Sequence, residues 1–217
     1  MPVNRAGVVL GGGTGERFGE TEKALVPFDG DPMVRHVVDA LAAVTEEVVV
    51  NCREDQREAF AAALRDHEVA FAVDPEPGLG PVAGLGATLD VVSARVVAVV
   101  ACDMPAVDPT FLRYLVDRLG GNEAAVPRLP SGRLQPAQAV YRVPPLREAA
   151  AQSLAAGDGS LHDVVDRLQA GIVQPAQIQQ VTTWRSLADL NSPADLEALA
   201  AGDRPDLQDG PQSPDRS

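Results

Sequence analysis

The residues best suited to chemistry lie together near the amino terminus, in the segment VVLGGGTGERFGETEKAL. An apolar run ends at Leu10 and opens into Gly11, Gly12 and Gly13, followed by Arg17, Gly19, Lys23 and Leu25. Glycines let backbone N–H groups approach phosphate oxygens closely, which makes an anion-binding concavity. Arginine adds a fork that grips phosphate at two points, and lysine adds a mobile point charge. Attack on the α-phosphorus of a nucleoside triphosphate builds charge on bridging and equatorial oxygens. Donors fixed on one loop meet that charge with little reorganisation, each contributing about 2.7–4 kcal/mol in favourable cases. Lys23 is the only lysine in the chain; every other basic residue apart from histidine is arginine.

Two better-known glycine loops are excluded by the residues themselves. A P-loop needs G-x-x-x-x-G-K-[ST], whereas Lys23 is preceded by Glu22 and followed by Ala24. A dinucleotide fingerprint needs G-x-G-x-x-G, and after Gly13 and Gly15 its third position is occupied by Phe18. Three further residues stand at the ends of apolar runs. Asp103 follows VVAVVA in the string ACDMP, Asn51 closes EEVVVN, and Asp74 opens DPEPGLGPVAGL. Ligands of open α/β sheets bind beyond the carboxyl ends of the strands. A carboxylate such as Asp103 there suits Mg²⁺, which takes one or two carboxylates and completes its shell with phosphate and water. Asn51 by itself reads either as a turn residue or as an amide facing a base edge.

Together these residues resemble the molybdenum cofactor guanylyltransferases and, more broadly, the nucleotidyltransferases that activate sugars. The resemblance covers residues 5 to about 200. In the first half it also rests on Gly80, Pro81, Ala83 and Gly84, which fit G-P-x-A-G after Asp74. Downstream, RLQPAQAVYR, SLHDVVDRL and ADLNSPADLEAL resemble the family more loosely. Asn191 and Pro193 match its N-x-N-T-P ending, while Asp189 stands where many members have asparagine.

The resemblance implies an enzyme that moves GMP from GTP onto molybdenum-loaded molybdopterin and releases pyrophosphate. It implies nucleotide binding by Leu10, Gly11, Gly12, Gly13, Lys23, Asn51, Asp74 and Asp103, catalysis by Arg17, Lys23 and Asp103, and Mg²⁺ on Asp103. Asn191 is the acceptor-side candidate. No side-chain nucleophile is required, because the acceptor phosphate is anionic at neutral pH. The alternatives are the same reaction with CTP, transfer to another phosphorylated acceptor such as a corrinoid precursor, and a non-catalytic nucleotide-binding regulator. A dinucleotide-dependent reductase is disfavoured by Phe18 and by Asn51-Cys52, which stand where an acidic residue is needed.

Positioning these residues requires strands that end together. Apolar β-rich runs alternate with helical patterns, which predicts βαβ units and one Rossmann-like α/β domain with a central, mostly parallel sheet flanked by helices. The expected strands cover 6–10, 47–51, 69–73, 95–101, 123–127, 136–142 and 186–190. The run VVAVVA is expected to be central, because strands covered on both faces read as continuous apolar stretches. Asp31-Pro32 reads as a helix cap and first turn, with Val34, Val37, Val38 and Leu41 on one face. Further helices are expected over 54–65, with Phe60 and Leu64 inward, and over 81–92, 110–119, 146–156 and 161–169. A last helix begins at Pro193, capped by Ser192 with Asp195. The domain spans 1–201, and 202–217 is an acidic, Pro-rich tail expected to be disordered.

Bulk composition agrees with this reading. The 217 residues are 45% hydrophobic, enough for a single domain with its own core. No apolar run reaches the ~18 residues that cross a bilayer, and the start MPVNRAGVVLGGG lacks a signal-peptide pattern, so a cytoplasmic protein without membrane contacts is expected. Cys52 and Cys102 are too few for a disulfide framework or zinc cluster and read as buried, reduced thiols. His162 reads as a surface or packing residue. The net charge of −13 and pI of about 4.5 argue against nucleic acid as a partner. Acid-rich, lysine-poor composition is the pattern expected of a halophilic protein working where salt screens charge over a few ångströms. A monomer is the favoured oligomeric state.

Overall fold

The computed structural model describes residues 4–12, 22–74 and 80–200. Nine strands and eight α-helices occur among them: β1 (Arg5–Leu10), β2 (Pro27–Phe28), β3 (Asp31–Pro32), α1 (Met33–Ala42), β4 (Glu47–Cys52), α2 (Arg57–Ala63), β5 (Ala70–Val73), α3 (Pro81–Val91), β6 (Val96–Ala101), α4 (Pro109–Leu119), β7 (Ala124–Pro127), β8 (Gln138–Arg142), α5 (Val143–Ala155), α6 (Leu161–Asp166), β9 (Ala170–Val173), α7 (Pro175–Ile178) and α8 (Pro193–Ala200). Seven strands form one sheet in the order β5-β4-β1-β6-β8-β7-β9. Within it only β8 runs antiparallel to its neighbours, β6 and β7; the pairs β1–β4, β1–β6, β4–β5 and β7–β9 are parallel.

β6 is the middle strand, and its side chains alternate between two cores. Val96, Ala98 and Val100 enter the cluster formed with Val34, Val37, Val38 and Leu41 of α1, Phe60 of α2 and Phe111, Leu112 and Leu115 of α4. Val97 and Val99 face the other cluster, with Val82, Leu85 and Leu89 of α3, Leu146 of α5 and Val164 of α6. Burial on both faces is why this strand reads as an unbroken apolar run. Asp108 caps α4 by accepting from the Thr110 N–H at 2.7 Å, and Pro81 and Pro109 open α3 and α4, where a missing N–H is harmless.

The structure departs from the sequence expectation at several elements. Asp31-Pro32 does not start the first helix; it pairs with Pro27–Phe28 as a two-stranded hairpin, and the helix begins at Met33. The turn is Asp29-Gly30, with φ of 47° and 97°, the Asp-Gly geometry of a tight hairpin. Burial of Phe28 and Met33 in a third cluster with Leu190 and Leu199 holds that hairpin in place. The helix expected over 54–65 starts as a 3₁₀ turn, Glu54–Gln56, before α2, and the helix expected over 161–169 stops at Asp166. Residues 186–190 are not a strand: Trp184–Leu187 is a 3₁₀ turn whose Leu187 packs into the core. The sheet edge is instead β9, unforeseen because its four residues follow α6 closely and carry Gly171. Around α8, Asp195 N–H bonds Ser192 Oγ as expected, but the Asp195 carboxylate reaches back to the Asn191 N–H. The expected tail over 202–217 lies outside the described residues.

Candidate active site

β1, β4 and β6 end side by side, with Leu10 in register with both Asn51 and Ala101. Their carboxyl ends therefore share one edge of the sheet. On the β4 side, Gly12 N–H donates to Asn51 Oδ1 at 3.2 Å, and Asn51 Nδ2 donates to Asp74 Oδ1 at 2.6 Å and to the Ala72 carbonyl at 3.3 Å. Glycine is required here by space. A Cβ on Gly11 would lie 2.6 Å from the Asn51 carbonyl oxygen and 2.9 Å from Phe60 Cε2, and one on Gly84 would lie 2.7 Å from Asn51 Cγ. Asn51 is only 2% exposed. Its amide is paired within the protein, tying the glycine turn to Asp74.

On the β6 side, the Lys23 ammonium lies 2.7 Å from Asp103 Oδ2 and 2.9 Å from Asn191 Oδ1. Lys23 stands in a 3₁₀ turn, Lys23–Leu25, and Asn191 just before α8. Residues 80 and 168 positions away in sequence thus converge on the lysine. Asn191 also donates through Nδ2 to Asp189 at 2.7 Å, and Leu190 N–H donates to the Asp103 carbonyl at 2.9 Å. The carboxyl of Asp103 is raised above its ordinary value. Burial is the main cause, Lys23 opposes it, and Asp189 reinforces it. Asp103 Oδ1 is buried and has no hydrogen-bond partner among the described residues. A buried carboxylate oxygen left in that state calls for an explanation, and a divalent cation shared with phosphate oxygens supplies one. The residues present therefore fit Mg²⁺.

Three residues that motif reading passed over complete the site. Gln56 Nε2 donates to Glu22 Oε1 at 2.6 Å and to the Gly11 carbonyl at 3.3 Å, and its Oε1 accepts from Arg53 N–H at 2.7 Å. Arg53 Nη2 donates to Glu22 Oε2 at 3.0 Å, and Nη1 to the Gly12 carbonyl at 3.5 Å. One signal was available: Gln56, Phe60 and Leu64 recur every fourth residue, so a polar side chain stands on the inward face of an amphipathic stretch.

The structure brings Gly11, Gly12, Asn51 and Asp74 together, and Lys23, Asp103 and Asn191 together. Leu10, on β1, is buried in the core. Gly13 and Arg17 lie outside the described residues. Both cysteines are free and buried. Burial pushes the Cys52 thiol up to about 11 and that of Cys102 upward as well, so neither is a thiolate nucleophile at neutral pH. His162 is exposed and bonds only the Leu134 carbonyl among the described residues.

A MobA-like NTP transferase domain matches residues 7–172, and with them every strand-end residue of the site; Asn191, before α8, lies beyond the match. The chain belongs to the MobA-like NTP transferase family. It is a nucleotidyltransferase. A probable molybdenum cofactor guanylyltransferase of Natronomonas pharaonis is 41% identical over 193 residues, which cover 89% of this chain and 95% of that protein. The molybdenum cofactor guanylyltransferase of Pseudomonas putida is 34% identical over 193 residues, 88% of this chain and 94% of that protein. The crystal structure of molybdopterin-guanine dinucleotide biosynthesis protein A from Archaeoglobus fulgidus superposes with a TM-score of 0.73 at 23% identity, covering 90% of this chain and 96% of that one. That structure shares the mixed, mostly parallel sheet flanked by helices that the sequence pattern predicts. Among the described residues no helix is long and apolar enough to cross a membrane.

Proposed function

We propose that this transferase moves GMP from GTP to the phosphate of molybdenum-loaded molybdopterin, forming the guanine dinucleotide of the cofactor. The observation that carries the reading is Lys23 held between Asp103 and Asn191 beside the glycine turn, in a chain whose relatives bear that activity in their names. An oxygen of the acceptor phosphate attacks the α-phosphorus in line, a new P–O bond forms, the bond to the bridging oxygen breaks, and pyrophosphate leaves. Lys23 supplies positive charge to the triphosphate oxygens, and the amide of Gly11 binds them. Arg17, on the same loop, is assigned to the leaving phosphates. Asp74 and Asn51 frame the nucleoside side, and Asn191 faces the acceptor. Asp103 is the residue that would hold Mg²⁺, which when bound offsets charge on the triphosphate.

The global charge of −13 repels a polyanionic substrate, so local cations and salt must offset it. The test is pyrophosphate release from Mg²⁺ and GTP in molar KCl, with and without molybdopterin or its molybdenum-loaded form. Release that depends on the pterin supports the assignment. Equal turnover of CTP in competition would defeat the guanine assignment, and tight GTP binding without release for any acceptor would defeat the enzymatic one. Equal activity and stability in dilute buffer and in molar KCl would remove the halophilic reading.

A further inference from the structure

The two ends of the glycine loop are held by the same pair of side chains. At its start, the Gly11 and Gly12 carbonyls accept from Gln56 Nε2 and Arg53 Nη1. At its end, the two carboxylate oxygens of Glu22 accept from the same Gln56 Nε2 and from Arg53 Nη2. Glu22 immediately precedes the 3₁₀ turn of Lys23, and its carbonyl accepts the Leu25 N–H at 2.9 Å. A carboxylate fixed at both oxygens thus leaves the adjacent lysine backbone little freedom. Gln56 is 2% exposed and both polar atoms of its side chain are paired. It occupies an inward position, in line with Phe60, where an apolar residue would pack without needing such partners.

We propose that Arg53, Gln56 and Glu22 form a clasp that positions Lys23 against Asp103 by tying both ends of the loop to the turn after β4. The clasp acts on Lys23 through the backbone that joins it to Glu22. Its members are positioning residues, and their effect is on where the ammonium stands. Misplacing a reacting group by about 1 Å can cost on the order of 10²-fold in rate, so the clasp has a kinetic role beyond holding the two loop ends. The kinetic part of this inference rests on the proposed nucleotidyl transfer; the structural part does not.

The single lysine makes a direct test available. Amine acylation of the full chain under native conditions, followed by mass spectrometry, reports the exposure of Lys23, with the amino-terminal amine as internal reference. Gln56→Leu, Glu22→Gln and Arg53→Gln are expected to raise Lys23 labelling roughly tenfold, because local opening is no longer opposed by the clasp. Leu64→Ala, which perturbs the neighbouring core without touching the clasp, is expected to leave the ratio unchanged. Should Gln56→Leu fail to fold, the two part-exposed variants carry the test. Unchanged labelling in the clasp variants, or an equal rise in Leu64→Ala, overturns the proposal.

A kinetic cycle gives the second readout. Each clasp variant should lower kcat by about 10–100-fold while the KM for GTP moves less than about threefold. In a Lys23→Ala background the same substitution should add less than about twofold, since residues acting through one another are non-additive. Full multiplication of the two effects overturns the clasp. Absence of pyrophosphate release by the unmodified protein overturns the functional reading instead, and labelling still decides the clasp.

Discussion

Asn51 and Asp103 occupy nearly equivalent places on either side of β1, one the penultimate residue of β4 and the other just past β6, yet their polar atoms are treated in opposite ways. Both polar atoms of the Asn51 carboxamide are paired with protein, and Gly11, Gly12 and Gly84 close around it. Asp103 keeps Oδ1 unpartnered among the described residues, and burial raises its carboxyl despite the Lys23 ammonium at 2.7 Å. Satisfied buried polar groups rigidify a structure, while unsatisfied ones cost free energy until a partner arrives. The β4 corner is finished by the protein itself. The β6 corner keeps one carboxylate oxygen unpaired among the described residues.

The strongest way to break this contrast is at the unfinished corner. Asp103→Ala should lower kcat by about 10³-fold or more through loss of the proposed Mg²⁺ ligand, read as pyrophosphate release at saturating Mg²⁺. Near-normal kcat would place the metal elsewhere. Lys23→Ala should lower kcat/KM on the order of 100-fold if the ammonium meets charge that develops during transfer; a rise in KM alone would make it a binding residue only.

Titration sharpens the same corner. Because the folded carboxyl of Asp103 is raised, its proton is held to higher pH than in the unfolded chain. The folded state therefore carries a penalty that is full above the folded pKa and disappears as pH falls below the ordinary value of 3.8. Mg²⁺ needs the carboxylate, so its binding should be lost as pH falls through the raised value. In Lys23→Ala, which removes an opposing positive charge, the midpoint should move further up. Calorimetric Mg²⁺ isotherms across about pH 4–7 check this, and a midpoint that stays fixed would separate Lys23 from Asp103 electrostatically.

At the finished corner the expected losses are structural. Gly84→Ala places a methyl group against the Asn51 amide, and overpacking of this kind costs about 1–3 kcal/mol, or ~2–4 °C in Tm per kcal/mol for a chain of this size. Two residues along the same helix, a Cβ on Gly86 meets nothing within 4 Å. Gly86→Ala should therefore stabilise by about 0.4–1 kcal/mol through reduced freedom of the unfolded chain. Thermal unfolding of the pair measures the closeness of α3 to Asn51; equal shifts would show that the amide is not held as tightly as the geometry requires.

Much of this arrangement is written locally. VVAVVA announces a strand buried on both faces, Asp108-Pro109 and Pro81 mark helix starts, and spacing puts Val34, Val37, Val38 and Leu41 on one face. Where two local signals compete, sequence alone does not arbitrate. Asp31-Pro32 looks like a helix start, but the adjacent Asp29-Gly30 turn wins because Phe28 and Met33 gain burial in a cluster with distant Leu190 and Leu199. The same limit explains residues 186–190, whose apolar side chains suit a strand but fill cores from a 3₁₀ turn and the extended residues after it.

Fold class, the glycine turn and the types of residue at the strand ends were legible in the chain alone, because they depend on periodicity, backbone freedom and the chemistry of nearby side chains. Which of those residues meet was settled by packing. Arg53 and Gln56 reach Glu22 across 31 and 34 positions, and Lys23 reaches Asp103 and Asn191 across 80 and 168. Such pairings follow from strand order and helix packing, which set distances that no local pattern encodes. The same packing paired Asn51 and left Asp103 Oδ1 unpaired among the described residues, since burial and pairing belong to the assembled sheet edge and not to either residue alone.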